Sequence, residues 1–284
     1  MRMNLSIILS AILVAGTCIT AAPRAAAQDS DQLMPEESAA KAKEILQQAI
    51  QALGGATYLK MHDSVCTLRM SQFGHSGDLN GYAKYLDYTI PPDKDRMEYL
   101  PKGNLITLMN GDKGWTLDRG GISELPETDL AQNHDDVLKD INNILRIRIK
   151  EQGMIIRYGG TDVVDLQEAD WVELVDSENR TYRIAVSKST HLPIRKINTS
   201  RDAASRRKTD EIEYYSNYHP IGGIETPFQI TRERNGRKVY QVFYEKCDYN
   251  TNLSSALFTR ESLEERWAKV GKKDKKKDKD KDKN

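Results

Sequence analysis

Apolar residues recur along this chain in two rhythms. Ala42, Ile45, Leu46, Ala49, Ile50 and Leu53 repeat at helical spacing and form one stripe, which predicts an amphipathic helix over 39–53. Pro35, Glu36 and Glu37 supply the start signals of a proline in the first turn and acids at the positive end of the helix dipole. Gly54-Gly55 supplies the stop. From Val65 the rhythm shortens to two. "VCTLRMSQF", "LNGYAKYLDYTI", "DRMEYL", "NLITLMN", "GWTLDR" and "GISEL" read as six strands, separated by glycines, Pro91-Pro92 and Asn110-Gly111.

The helical rhythm returns once, over 130–150, where Leu138, Ile141, Leu145 and Ile149 share a face widened by Val137 and Ile144. Eight further strands follow: "MIIRYGG", "TDVVDL", "ADWVELVD", "RTYRIAVS", "LPIRKIN", "KTDEIEYY", "TPFQITRE" and "KVYQVFYE". "ALFTRESLEERWAKV" then reads as a short helix capped by Thr259. Between the last strands, "YSNYHPIGGIETPFQI" sets Pro220, Gly222-Gly223 and Pro227 close together, an edge or corner between strands. Asn235-Gly236 between two strand-like runs is a hairpin signal. Sheet dominates, connections are short and βαβ alternation is absent. The expected class is therefore mainly β with helices (α+β), built on one large antiparallel sheet that must curl or close.

The ends change this picture. Arg2, the apolar run Leu5–Ala15 and the small residues of "PRAAAQ" read as a signal peptide cleaved after Ala27, so that residues 28–271 form the domain and the expected location is periplasmic. A lipoprotein anchored at Cys18 is the competing reading, and Ala15 and Thr17 match its consensus poorly. No other apolar run approaches the roughly 20 residues of a membrane helix. Residues 272–284, "KKDKKKDKDKDKN", cannot bury anything and read as a disordered tail with weak affinity for anionic surfaces. The tail's +4 and the leader's +2, taken from a total of zero, leave −6 for residues 28–271. An acidic domain is a poor nucleic-acid binder, and no nucleic-acid partner is expected. Cys66 and Cys247 read as small buried hydrophobes, with a bridge permitted by an oxidising compartment.

Catalytic chemistry is sparse. His62, His75, His134, His191 and His219 are scattered, and no HxxxH, CxxC or GxSxG occurs. "HDD" at 134–136 sits at an expected helix start, where the macrodipole explains Asp135 and Asp136 better than a metal does. No enzyme, cofactor or metal is expected. The aromatic and aliphatic positions say more. Tyr82, Leu86 and Tyr88 share one strand face, and Ile184, Tyr214 and Phe228 lie on others. Packed core is one reading of them. The other is that they line an apolar cavity covered by a lid bearing Leu138, Ile141 and Leu145, because a barrel this wide is not filled by its own side chains unless helices plug it.

Four blocks resemble the outer-membrane lipoprotein-sorting proteins of the LolA/LolB-like superfamily. They are the helix ending "ALGG", "PPDKDRMEY…MNGDKGW" (91–115), "HLPIRKI" (191–197) and "YHPIGGIETPFQITRERNGRKVYQVFYEKCDYNTNLSSALF" (218–258). The resemblance covers about Lys41 to Phe258. It implies an incomplete antiparallel β-barrel with an N-terminal plug helix and a helical lid. It also implies a non-enzymatic carrier that binds the acyl chains of lipoproteins or other lipids between barrel and lid. The arginine with which the family's carrier holds its lid has no counterpart in these blocks, and the charged tail is foreign to the pattern. A second reading uses the same fold as an envelope-stress sensor acting on a membrane-protein partner. The family's sensors add a second globular domain, whose pattern the residues after Gly271 do not show.

Overall fold

The computed structural model describes residues 33–201 and 207–269, so the leader and the lysine-rich tail lie outside the described residues. The predicted first helix is present as α1 (Pro35–Ala52), with all six stripe residues from Ala42 to Leu53 buried. A four-residue α2 (Ala56–Leu59) follows. The first six strands are β1 (Ser64–Phe73), β2 (Leu79–Ile90), β3 (Lys94–Leu100), β4 (Ile106–Asn110), β5 (Lys113–Asp118) and β6 (Gly121–Glu124). After the helices α3 (Glu127–Lys139) and α4 (Ile141–Arg146) come seven more. They are β7 (Ile155–Val164), β8 (Gln167–Val175), β9 (Thr181–Ser187), β10 (Pro193–Arg201), β11 (Lys208–Ile221), β12 (Ile224–Arg234) and β13 (Arg237–Tyr249). A last helix, α5, spans 260–269. None of the described helices is long and apolar enough to cross a membrane.

All thirteen strands join one antiparallel sheet in the order β6-β5-β4-β3-β2-β1-β13-β12-β11-β10-β9-β8-β7. Two meanders meet where β1 pairs with β13, and the sheet stays open between β6 and β7. This is the incomplete barrel. Seven strands rather than eight form the second half because "MIIRYGG" and "TDVVDL" are one strand. Its register slips between Tyr158 and Thr161, where Gly160 takes φ 89°. Glycines inside a strand pattern mark a bulge as readily as an end.

The two ends of the chain's pattern meet. β11 and β12 turn at Gly222 and Gly223 (φ 58° and 84°), and β12 and β13 at Asn235-Gly236 (φ 51° and 75°). The first hairpin overhangs its neighbours: β10 pairs with β11 only as far as Tyr214, and β13 pairs with β12 only from Gln229. Pro220 and Pro227 sit in that overhang, where no outer strand needs an N–H from them. The stop glycines of α1 dock on it, with Glu225 N donating to Leu53 O at 3.0 Å.

α1 lies against β7 and β8 at the open edge and carries the main core, with Ile184, Val172, Leu174 and Tyr182 beneath it. Ser38 Oγ accepts the Tyr158 amide at 3.0 Å, so the helix also satisfies an edge-strand donor. α5 covers the outer face of the other half, where Leu263 packs on Ile106, Leu108 and Leu117.

Cys66 and Cys247 stand opposite each other across β1 and β13 and form a disulfide, so they are not the free hydrophobes the sequence suggested. Only the register, invisible in a single sequence, brings together residues 181 positions apart.

Candidate functional site

The inner face of β1–β3 and β11–β13 faces α3 and α4 across a cavity of about 500 Å³, within the size range of small-molecule sites. Leu68, Met70, Val242, Ile224, Ile230 and Ile141 supply apolar wall. Six tyrosines also line it, among them Tyr58, Tyr215 and Tyr244. The disulfide and the half-buried Asp87 and Asp95 complete the β1–β3 side.

The predicted helix over 130–150 is two helices. Asp140 breaks it with extended geometry (φ −60°, ψ 132°), and its carboxylate then caps α4 by accepting from Asn143 N at 2.9 Å. The halves are held differently. α4 is stapled into the body. Ile144 and Leu145 are buried in the main core, Asn142 Oδ1 accepts from the Tyr58 hydroxyl at 3.0 Å, and Asn143 Nδ2 donates to Pro92 O at 3.1 Å. Arg146 reaches the carbonyl of Met61.

α3 is held by charge. Arg232 on β12 bridges Asp136 of α3 (2.9 Å) and Glu213 of β11 (2.8 Å from its Nε). Lys139 pairs with Glu211 at 2.8 Å and with Asp135. The fully buried Lys196 on β10 binds Glu213 at 2.7 Å and donates to the carbonyl of Lys139. Burial by itself would raise the Glu213 carboxyl. Lys196 and Arg232 outweigh that and hold it down at about 2. Asp135 and Asp136 thus lie deep in α3, not at its start, and are explained by these ion pairs rather than by the helix dipole.

Of the nine residues singled out in the sequence, Ile141 lines the cavity. Phe228 meets the wall tyrosine Tyr244, ring centroids 6.5 Å apart. Leu138 sits two residues ahead of the break at Asp140, and its carbonyl accepts from Arg148 at 2.7 Å. Leu145 and Ile184 are fully buried in the core under α1, not at the lid. The other four face away. Cys66 stands opposite Asp87 and Leu68 opposite Tyr85, so the inner residues of β2 are Tyr85, Asp87 and Thr89. Tyr82 is 71% exposed, while Leu86 and Tyr88 stand opposite Glu98 and Arg96 on the outer side that α5 covers. Tyr214 stacks under Arg195 and donates to Glu233, while its neighbour Tyr215 faces inward. Alternation correctly grouped these residues, but choosing the more apolar set picked the outer face, because the inner one carries the carboxyls and tyrosines.

No protein-family model matches the chain, and no curated protein matches it in sequence. Solved structures do. A DUF1329 family protein from Desulfovibrio piger superposes with TM-score 0.54 at 15% identity, over 78% of this chain and 98% of that one. A putative outer membrane lipoprotein-sorting protein domain from Vibrio parahaemolyticus gives 0.51 at 12% identity, over 79% and 99%. A LolA superfamily protein from Nitrosomonas europaea gives 0.50 at 15%, over 78% and 99%. The chain shares the fold of these three solved structures. The expected resemblance is therefore met at the level of fold, and the cavity lies between the sheet and its helices.

Proposed function

We propose that this protein is a non-enzymatic carrier or binding protein of the bacterial envelope that holds a lipid acyl chain between the sheet and α3–α4. The cavity of about 500 Å³ behind a charge-held helix is the observation that carries the reading. A dozen methylenes removed from water contribute roughly 10 kcal/mol before ordering costs, enough for micromolar binding. The leader-like N-terminus and the fold shared with the Vibrio parahaemolyticus lipoprotein-sorting domain support export to the periplasm and a place in lipoprotein sorting.

The test is a titration of delipidated protein with a neutral fluorescent acyl probe. Wild type is expected to bind at micromolar levels. Ile141→Asp, which puts a charge into the wall, is expected to weaken binding at least about ten-fold, or 1.4 kcal/mol. A wild type that does not bind the probe overturns the reading.

A further inference from the structure

The cavity is not built for a carboxylate. Its wall carries seven carboxyl side chains against two cationic ones, Lys94 and Arg232. Arg232 is consumed by Glu213 and Asp136. Lys94 stands at the start of β3, in register with Ile90 and Asn110 rather than with Asp87. Asp87 and Asp95 both line the β2–β3 wall, Asp87 in register with Met97 and Asp95 with Thr89, so the two carboxyls are diagonal neighbours across the strand pair. One oxygen, Asp87 Oδ1, is buried with no hydrogen-bond partner. Burial pushes both carboxyls above the usual range, Asp95 to about 6, and the charge of Asp95 raises Asp87 further. A buried acceptor left unpaired is destabilising, and a donor arriving with the ligand would satisfy it.

We propose that the Asp87–Asp95 pair receives the protonated amine of an amphiphile whose chain lies in the cavity. This rests on the reading of the cavity as an acyl site and names the polar end of its ligand. Asp87 stands opposite Cys66 and Met97, so the pair is flanked by the disulfide and by thioether, a low-dielectric surround that strengthens a charge-assisted hydrogen bond. An ammonium offers three donors: two match the carboxyls, and the hydroxyls of Thr89 and Tyr244, which line the same cavity, are acceptors available to the third. A metal ion is a poorer match, since no group of three or more His, Cys, Asp or Glu side chains is placed to hold one among the described residues. A fatty-acid anion would face like charge.

The test uses the mature protein and three ligands of one chain length, dodecylamine, dodecanol and dodecanoate. Each is kept below its micellar concentration and titrated by calorimetry near neutral pH at about 0.15 M salt, where surface attraction is screened. Dodecylamine is expected to bind at least about ten-fold more tightly than the alcohol, and dodecanoate more weakly than either. Asp87→Asn with Asp95→Asn is expected to remove the preference for the amine while dodecanol still binds, which also shows that the variant is folded. If the variant does not fold, the wild-type ranking decides. Equal affinity for amine and alcohol, or tighter binding of the carboxylate, overturns this proposal and leaves the acyl site standing. Failure of all three ligands overturns the acyl site itself. A lysophosphatidylethanolamine arm separates sources: binding that depends on both Asp residues assigns the amine to a phospholipid headgroup, and its absence assigns it to a free amine.

Discussion

Gly54 and Gly223 touch so closely that a Cβ on Gly54 would lie 2.3 Å from the Gly223 carbonyl oxygen. Gly54 also takes φ +125°, which L residues rarely adopt. The end of the plug helix and the tip of the β11–β12 hairpin are therefore one joint. Gly54→Ala is expected to destabilise the protein by about 2 kcal/mol or more, read as a lowered denaturant midpoint with unchanged slope. A substitution within about 0.5 kcal/mol of wild type would contradict the close approach.

α3 and α4 should respond differently to loss of charge. Removing Arg232 leaves the half-exposed Asp136 without its cation and leaves Glu213 with Lys196 alone. In Arg232→Met, proteolytic cleavage within 127–139 is expected to accelerate before cleavage in α4, whose anchors are Ile144, Leu145 and Asn143. Simultaneous cleavage of both helices would mean that the ion pairs do not hold α3 separately.

Acid and base should act on the fold through different carboxyls. Glu213 is held at about 2, below its ordinary 4.5, so its contribution is complete above the ordinary value and lost as pH falls toward 2. Asp63 acts the same way. Burial would raise it, but hydrogen bonds from Thr251 and Leu253 outweigh burial and hold it below the usual range. Asp87 and Asp95 are raised, so the folded state binds more protons than the unfolded one and stability from them falls as pH rises above about 4. Asp87→Asn removes one of these carboxyls. It is therefore expected to gain on wild type between about pH 4 and pH 7, by up to roughly 1.4 kcal/mol for each pH unit over which Asp87 stays protonated only in the folded state. Parallel stability–pH curves for the two proteins would show that the pair is not strained.

The sequence disclosed what repeats locally. The α1 stripe, the strand runs, the Asn235-Gly236 hairpin and the "ALGG" stop could all be read because periodicity and turn chemistry are properties of neighbours in the chain. Partners across the sheet could not. The Cys66–Cys247 bridge, the Asp87–Asp95 pair and the Lys196–Glu213–Arg232 cluster exist only in the register of β1 with β13, of β2 with β3, and of β10 with β11 and β12. The choice of face failed for Leu86 and Tyr88 because α5 covers that part of the outer face, and for Tyr82 and Tyr214 because the inner positions of β2 and β11 carry polar side chains and tyrosines of their own. Hydrophobicity separates two faces only when one of them meets water. The break at Asp140 had a local signal in "KDINN", a cap residue two before Asn142-Asn143, hidden by the apolar stripe running across it.

Native mass spectrometry of the protein as purified from the bacterial envelope tests the central claim most directly. The account predicts a population carrying one lipid-sized adduct that dissociates on activation, and its loss in Ile141→Asp while the thirteen-stranded sheet is retained by circular dichroism. A wild-type protein observed only at its bare mass, and unchanged after incubation with neutral single-chain lipid, would contradict it.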